Sequence, residues 1–112
     1  MPQQTVKNIS TETPEPLAAL ITPRANQVLS MALSNSEHVH INLFSFADGE
    51  MVSEEEYAGS TIYYLLEGET IISRDGRKDR LKAGDVLAVP GHVLHAVGGL
   101  SAFSMLQITV NE

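Results

Sequence analysis

From residue 38 onward the chain alternates. In HVHINLFSF (38–46), His38, His40 and Asn42 fall on one parity and Val39, Ile41 and Leu43 on the other. That is the two-residue period of a strand with unlike faces. TIYYLLEG (61–68) is dense in β-branched and aromatic residues and stops at Gly68, so it reads as a second strand. ETIISRDGRKDRL (69–81) carries Asp75-Gly76, the strongest hairpin signal in the chain. DVLAVP (85–90) is a short apolar strand before Pro90-Gly91, and AFSMLQITV (102–110) is a closing strand. Upstream, NQVLSMAL (26–33) reads as the first strand, SNSE (34–37) as a polar turn and Asp48-Gly49 as another turn. The pattern predicts about seven or eight short strands and no long helix, an all-β sandwich or barrel. No repeat at the spacing of a propeller or solenoid is present.

The first 16 residues, MPQQTVKNISTETPEP, are polar, contain three prolines and show no period. They read as a loose arm. LAALI (17–21) is too short to be an independent helix, and a strand or a helical turn both fit it. The expected division is an arm over residues 1–24, contributing to a dimer, and one barrel domain over 25–112. A chain of 112 residues is long enough for one hydrophobic core.

Charge narrows the partners. The net charge of −7 speaks against nucleic acid, whose phosphates need a basic face. Five of the seven basic residues crowd into one stretch (Arg74, Arg77, Lys78, Arg80, Lys82), interleaved with Asp75 and Asp79, as on the solvated face of a hairpin. The absence of cysteine excludes disulfides, thiolate metal sites and cysteine nucleophiles. No apolar run approaches the ~20 residues of a membrane span, and MPQQTVKNIS lacks the features of a signal peptide, so a cytoplasmic address is expected.

The chemistry lies in two stretches. LKAGDVLAVPGHVLHAV (81–97) sets Gly84, Pro90 and His95 at intervals that resemble the second conserved motif of the cupins. The stretch from Gly49 to Gly68 resembles their first motif, in which a Gly is followed after five residues by His-x-His, then an acid or amide, then a Gly. The resemblance covers residues 38–110 and implies a double-stranded β-helix, the jelly-roll cupin barrel. It also implies where metal ligands would stand. The two histidine positions of the first motif carry Glu55 and Tyr57, the acid position carries Thr61, and only the last ligand position keeps its histidine, His95. His92 stands where the family usually has Gly.

A catalytic divalent cation needs at least three protein ligands. His95 and Glu55 are two. His40 or His38 would complete a two-His-one-carboxylate set if that parity faced the lumen. Val39, Ile41 and Leu43 are the more natural lining, which would leave both histidines outward. Without a cation, Glu55, Tyr57, Thr61, Tyr63 and His95 make an amphiphilic pocket suited to a small polar molecule. Glu54 and Glu56 are expected outward and solvated. The reading favoured is a cupin that binds a small polar molecule without an inherited metal site, as a homodimer paired through residues 17–33. The alternatives are a metal-dependent enzyme of isomerase, dioxygenase or lyase type, and a metal-free acid–base isomerase or epimerase using Glu55 with His95.

Overall fold

The computed structural model describes residues 5–99 and 101–111. Nine strands follow a short 3₁₀ turn at Leu17–Leu20: β1 (Val28–Asn35), β2 (Val39–Phe46), β3 (Met51–Glu55), β4 (Ser60–Glu67), β5 (Glu69–Arg74), β6 (Arg77–Lys82), β7 (Val86–Val89), β8 (His95–Gly98) and β9 (Phe103–Val110). They form a five-stranded sheet in the order β1-β2-β9-β4-β7 and a four-stranded sheet in the order β3-β8-β5-β6. The two sheets face each other as a jelly-roll barrel, and every pairing is antiparallel. Ser34 and Asn35, read above as part of a turn, complete β1 and pair with Ile41 and His40.

Two apolar clusters hold this arrangement. The larger fills the barrel between the sheets and includes Phe46, Tyr63, Leu65, Ile72, Leu81, Val97 and Phe103. The smaller lies on the outer face of the five-stranded sheet, where Ile21, Leu33 and Leu43 are buried and Leu17, Leu20 and Ile41 pack against them. Burying a leucine such as Leu33 or Leu43 contributes roughly 1.5–3 kcal/mol. The LAALI segment is therefore a lid of its own chain. It is not the unpaired apolar run that suggested a dimer seam at residues 17–33.

The same cluster corrects the parity of β2. Ile41 and Leu43 face outward into the lid, while Phe44 and Phe46 face the barrel. His40 and Asn42 share the parity of Phe44 and Phe46, so they point inward with them. His38 lies just before the strand. Its ring is exposed near Glu37, and its carbonyl accepts the Asn111 N–H.

The β5–β6 hairpin turns at Asp75 (φ 48°) and Gly76 (φ 74°), the two left-handed residues that an Asp-Gly turn supplies. A Cβ at Gly76 would meet no atom within 4 Å, so only backbone strain opposes it. Gly68 is also left-handed, at φ 82°, but a Cβ there would strike the Ala102 carbonyl and the Phe103 backbone. Gly76→Ala is expected to lower stability by about 1–2 kcal/mol in a urea melt, and Gly68→Ala by clearly more. Equal losses at the two positions would contradict this account of the turns.

Candidate functional site

The interior positions of three neighbouring strands change from apolar to polar in one direction. Along β9 they run Phe103, Met105, Gln107, Thr109. Their partners on β2 run Phe46, Phe44, Asn42, His40, and those on β4 run Leu65, Tyr63, Thr61. Phe46 and Phe103 close the apolar end, their rings stacked with centroids 4.4 Å apart. Toward the polar end lies a cavity of about 150 Å³ walled by Phe44, Phe46, Val52, Val97 and Met105. Glu55, Tyr57, Tyr63 and Gln107 are its polar wall. Phe44, Tyr57 and Gln107 also border an outer vestibule of about 520 Å³, with His40, Asn42, Glu56, Thr109 and Asn111 around it. A groove of about 240 Å³ by Met51, Ile71, Ala96 and Lys78 shares Val97 with the cavity but none of its polar groups.

Glu55 reaches the cavity because β3 is bulged. Val52 pairs with Val97, and Glu55 pairs with His95, so three steps along β3 match two along β8. The extra residue reverses the alternation and brings Glu55 onto the inner face with Val52 and His95. Tyr57 donates its hydroxyl to Glu55 Oε2. Burial raises the Tyr57 pKa first, and the Glu55 hydrogen bond adds to it, while the Gln107 side chain opposes.

His95 is 2 % exposed and both of its ring nitrogens are engaged. Nδ1 lies 2.9 Å from the Val93 carbonyl, which only accepts, so Nδ1 carries the proton and donates. Nε2, 2.6 Å from the Tyr63 hydroxyl, is then the acceptor and Tyr63 the donor. The Tyr63 and His95 rings meet edge to face with centroids 5.6 Å apart. Burial pushes the Tyr63 pKa well above the usual tyrosine range, and the nearby Tyr57 and Glu55 add to that.

The structure thus brings Glu55, Tyr57 and Tyr63 to one cavity, with His95 in the wall behind Tyr63. Glu55 and His95 are cross-strand neighbours without a hydrogen bond between them. Thr61 is 1 % exposed and its hydroxyl meets that of Thr109 at 3.1 Å, so it sits behind the vestibule wall and not on the cavity surface. His40 borders the vestibule. Glu54 and Glu56 are both exposed as expected, and Glu56 also borders the vestibule and lies 3.4 Å from His92 Nδ1. His92 has φ 62° and donates its backbone N–H to the Tyr57 carbonyl, a left-handed residue where a glycine would be unstrained. Phe44, Met105 and Gln107 were not read as site residues. The signal for Gln107 was a lone amide on the inner parity of the closing strand, next to Met105.

The family model for the cupin domain matches residues 42–109. The chain is a cupin. A cupin superfamily protein from Desulfitobacterium hafniense is 56 % identical over 96 % of this chain and 98 % of its own, with a TM-score of 0.93. A protein of unknown function from Streptococcus pyogenes has a TM-score of 0.94 at 24 % identity, covering 98 % of this chain and 96 % of its own. An RmlC-like cupin from Shewanella frigidimarina has a TM-score of 0.71 at 22 % identity, covering 76 % of this chain and 77 % of its own. Comparison with curated proteins gives no match.

The cupin ligand positions here do not fit a metal. Glu55, Tyr57 and Thr61 replace three of the four ligands that the motif implies. The Nε2 of His95 faces a phenol hydroxyl within hydrogen-bond distance. Among the described residues no three His, Asp or Glu side chains converge as a metal site, and His40 does not join His95 and Glu55.

Tyr63→Phe leaves the buried Nε2 of His95 without a donor, so it is expected to cost about 1–3 kcal/mol in a denaturant melt. The alkaline limb carries a second signature. The unfolded chain ionises Tyr63 from about pH 10, whereas the folded barrel holds it protonated. The contribution of Tyr63 is therefore fully present below about pH 10 and is lost as pH rises through the folded value. Stability of the parent protein should fall more steeply than that of Tyr63→Phe between about pH 9.5 and 11.5. Parallel curves would exclude this role for the phenol.

Proposed function

We propose that this cupin binds a small polar molecule in the barrel cavity and does so without a metal ion. The observation that carries the reading is the Tyr63–His95 hydrogen bond. It uses the nitrogen that a cation would need and turns the one retained ligand position into part of the cavity wall. Glu55, Tyr57 and Gln107 then offer polar groups to a guest whose body lies against Phe44, Val97 and Met105. A few convergent polar groups on an apolar cavity are the common form of a small-molecule site. His95 acts through Tyr63 as a positioning residue, since the phenol stands between its ring and the cavity. The acid–base reading loses its support for the same reason. The protein is read as cytoplasmic on its composition, and no helix among the described residues is long and apolar enough to cross a membrane.

We further propose a homodimer, on a surface other than the one first expected. On the outer face of the five-stranded sheet Tyr64 pairs with Val86 and Leu106, and Ile62 with Ala88 and Ile108. Val86 is 62 % exposed, Val110 41 % and Tyr64 38 %. A contiguous apolar surface of this kind on a small barrel favours an identical partner.

Melting curves test the first proposal. Chelator, and added Zn²⁺, Fe²⁺ or Ni²⁺, should leave the melting temperature unchanged, because a ligand stabilises only a fold that binds it. A rise with any of these ions that His95→Ala abolishes would return the protein to the metal-dependent class. Light scattering tests the second. The parent protein should have twice the chain mass, and Tyr64→Glu the mass of one chain. A monomeric parent would sink the dimer.

A further inference from the structure

No Lys or Arg lines the cavity, although Arg74, 12 % exposed, follows His95 in the cross-strand row Glu55, His95, Arg74. All five basic residues from Arg74 to Lys82 belong to the β5–β6 hairpin. Of these, Arg74 lies 3.7 Å from Asp79 and donates to the Ala88 carbonyl, and Arg77 is held by Asp79. Arg24 lies by the lid and Lys7 donates its backbone N–H to Leu33 on β1. None of the seven Lys and Arg residues borders the cavity or its vestibule. The carboxylates that do are Glu55 in the cavity and Glu56 in the vestibule.

Size and shape add a second restriction. A cavity of about 150 Å³ holds one guest of roughly benzene size. Its wall opposite Glu55 is apolar and aromatic. A guest anion would meet a carboxylate with no Lys or Arg in the lining to offset it. A neutral guest gains only ordinary hydrogen bonds, and its apolar part gains the same burial as any other. A protonated amine gains more, because its N–H donors reach a carboxylate and charge-assisted hydrogen bonds are roughly twice as strong as neutral ones. Glu55 is prepared for such a donor. Its Oε2 takes the Tyr57 hydroxyl, and that contact holds the carboxylate at the cavity edge with Oε1 for a guest. Tyr57 and Phe44 also line the cavity, and an aromatic face turned to an ammonium would add cation–π attraction.

We propose that the cavity is selective for a small primary amine in its ammonium form, carried on an apolar body of about six heavy atoms. The ammonium lies against Glu55 and Tyr57, and the body occupies the space between Phe44, Phe46, Val97 and Met105. This rests on the small-molecule reading given above and narrows it to one chemical class.

Three probes of nearly equal shape separate the two statements: benzylamine, benzyl alcohol and benzoate. Each is titrated into the full-length protein at neutral pH and fixed salt, with binding followed by calorimetry and by the methyl NMR signals of Val97 and Met105. Benzylamine is expected to bind at least tenfold more tightly than benzyl alcohol, and benzoate not at all. Glu55→Gln, a surface-accessible isosteric change, should bring amine and alcohol to within about twofold of each other. Glu56→Gln should leave most of the preference intact. Binding of the alcohol or of benzoate as tightly as the amine overturns the amine assignment while the ligand-binding role stands. An equal loss in Glu55→Gln and Glu56→Gln overturns it too, since the preference would then belong to the general negative field. No binding of any probe removes both the amine assignment and the small-molecule reading.

Discussion

A buried imidazole must satisfy both nitrogens or leave a polar atom unpaired at a cost of about 1–3 kcal/mol. At His95 this requirement organises the polar end of the barrel. The Val93 carbonyl fixes the proton on Nδ1, and that choice leaves Nε2 able only to accept. Tyr63 supplies the donor from the opposite sheet, so one hydrogen bond ties β4 to β8 across the barrel. Tyr63 is 2 % exposed and is also among the largest side chains of the core. Its ring packs with the apolar end while its hydroxyl belongs to the polar end. The boundary between packed core and open cavity runs through this one side chain.

The second device is local. Without the bulge in β3, the inward parity that starts at Val52 would pass to Glu54 and leave Glu55, itself exposed, off the cavity rim. One inserted residue exchanges them, and a carboxylate enters the cavity without any change in the rest of the sheet. Glu55 then finds Tyr57 as its partner because β3 has ended and the following residues turn across the barrel mouth. Replacement of three inherited ligand positions has thus left no gap in this site. Each replacement has a partner: Glu55 with Tyr57, Thr61 with Thr109, and the remaining His95 with Tyr63.

The fold was legible where the local chemistry allows one reading. Asp75-Gly76 supplies the two left-handed residues of a tight hairpin, and the turn lies there. Gly84, Pro90 and His95 carried the family resemblance, and the family is the one found. MVSEE and HAVG, the strands β3 and β8, are short and lack a clean alternation, so nothing in their pattern marked them. The parity of β2 misled for a physical reason. Both of its faces are buried, one by the barrel and the other by the Leu17–Ile21 lid, so an apolar set on one parity does not identify the interior. The deciding residues were Phe44 and Phe46, which share the parity of His40 and Asn42. Glu55 and Tyr57 were legible from their motif positions. The Tyr63–His95 pairing was not, because it joins strands 32 residues apart, and no local pattern encodes such a contact.

The distribution of charge links these points. A chain with net charge −7 has few cations to place, and this one commits five of its seven Lys and Arg residues to a single hairpin. The barrel mouth is left with carboxylates, imidazoles, amides and phenols. Such a lining attracts cations and repels anions over the whole approach to the cavity, since a recess with low-dielectric walls focuses the field of its charges. On the proposed reading the inner wall would then sort what enters by shape, because its apolar residues leave room for only a small body. Charge at the rim and volume at the base would act on different parts of such a guest, and Glu55, at the edge of the cavity between them, is where the two selections would meet.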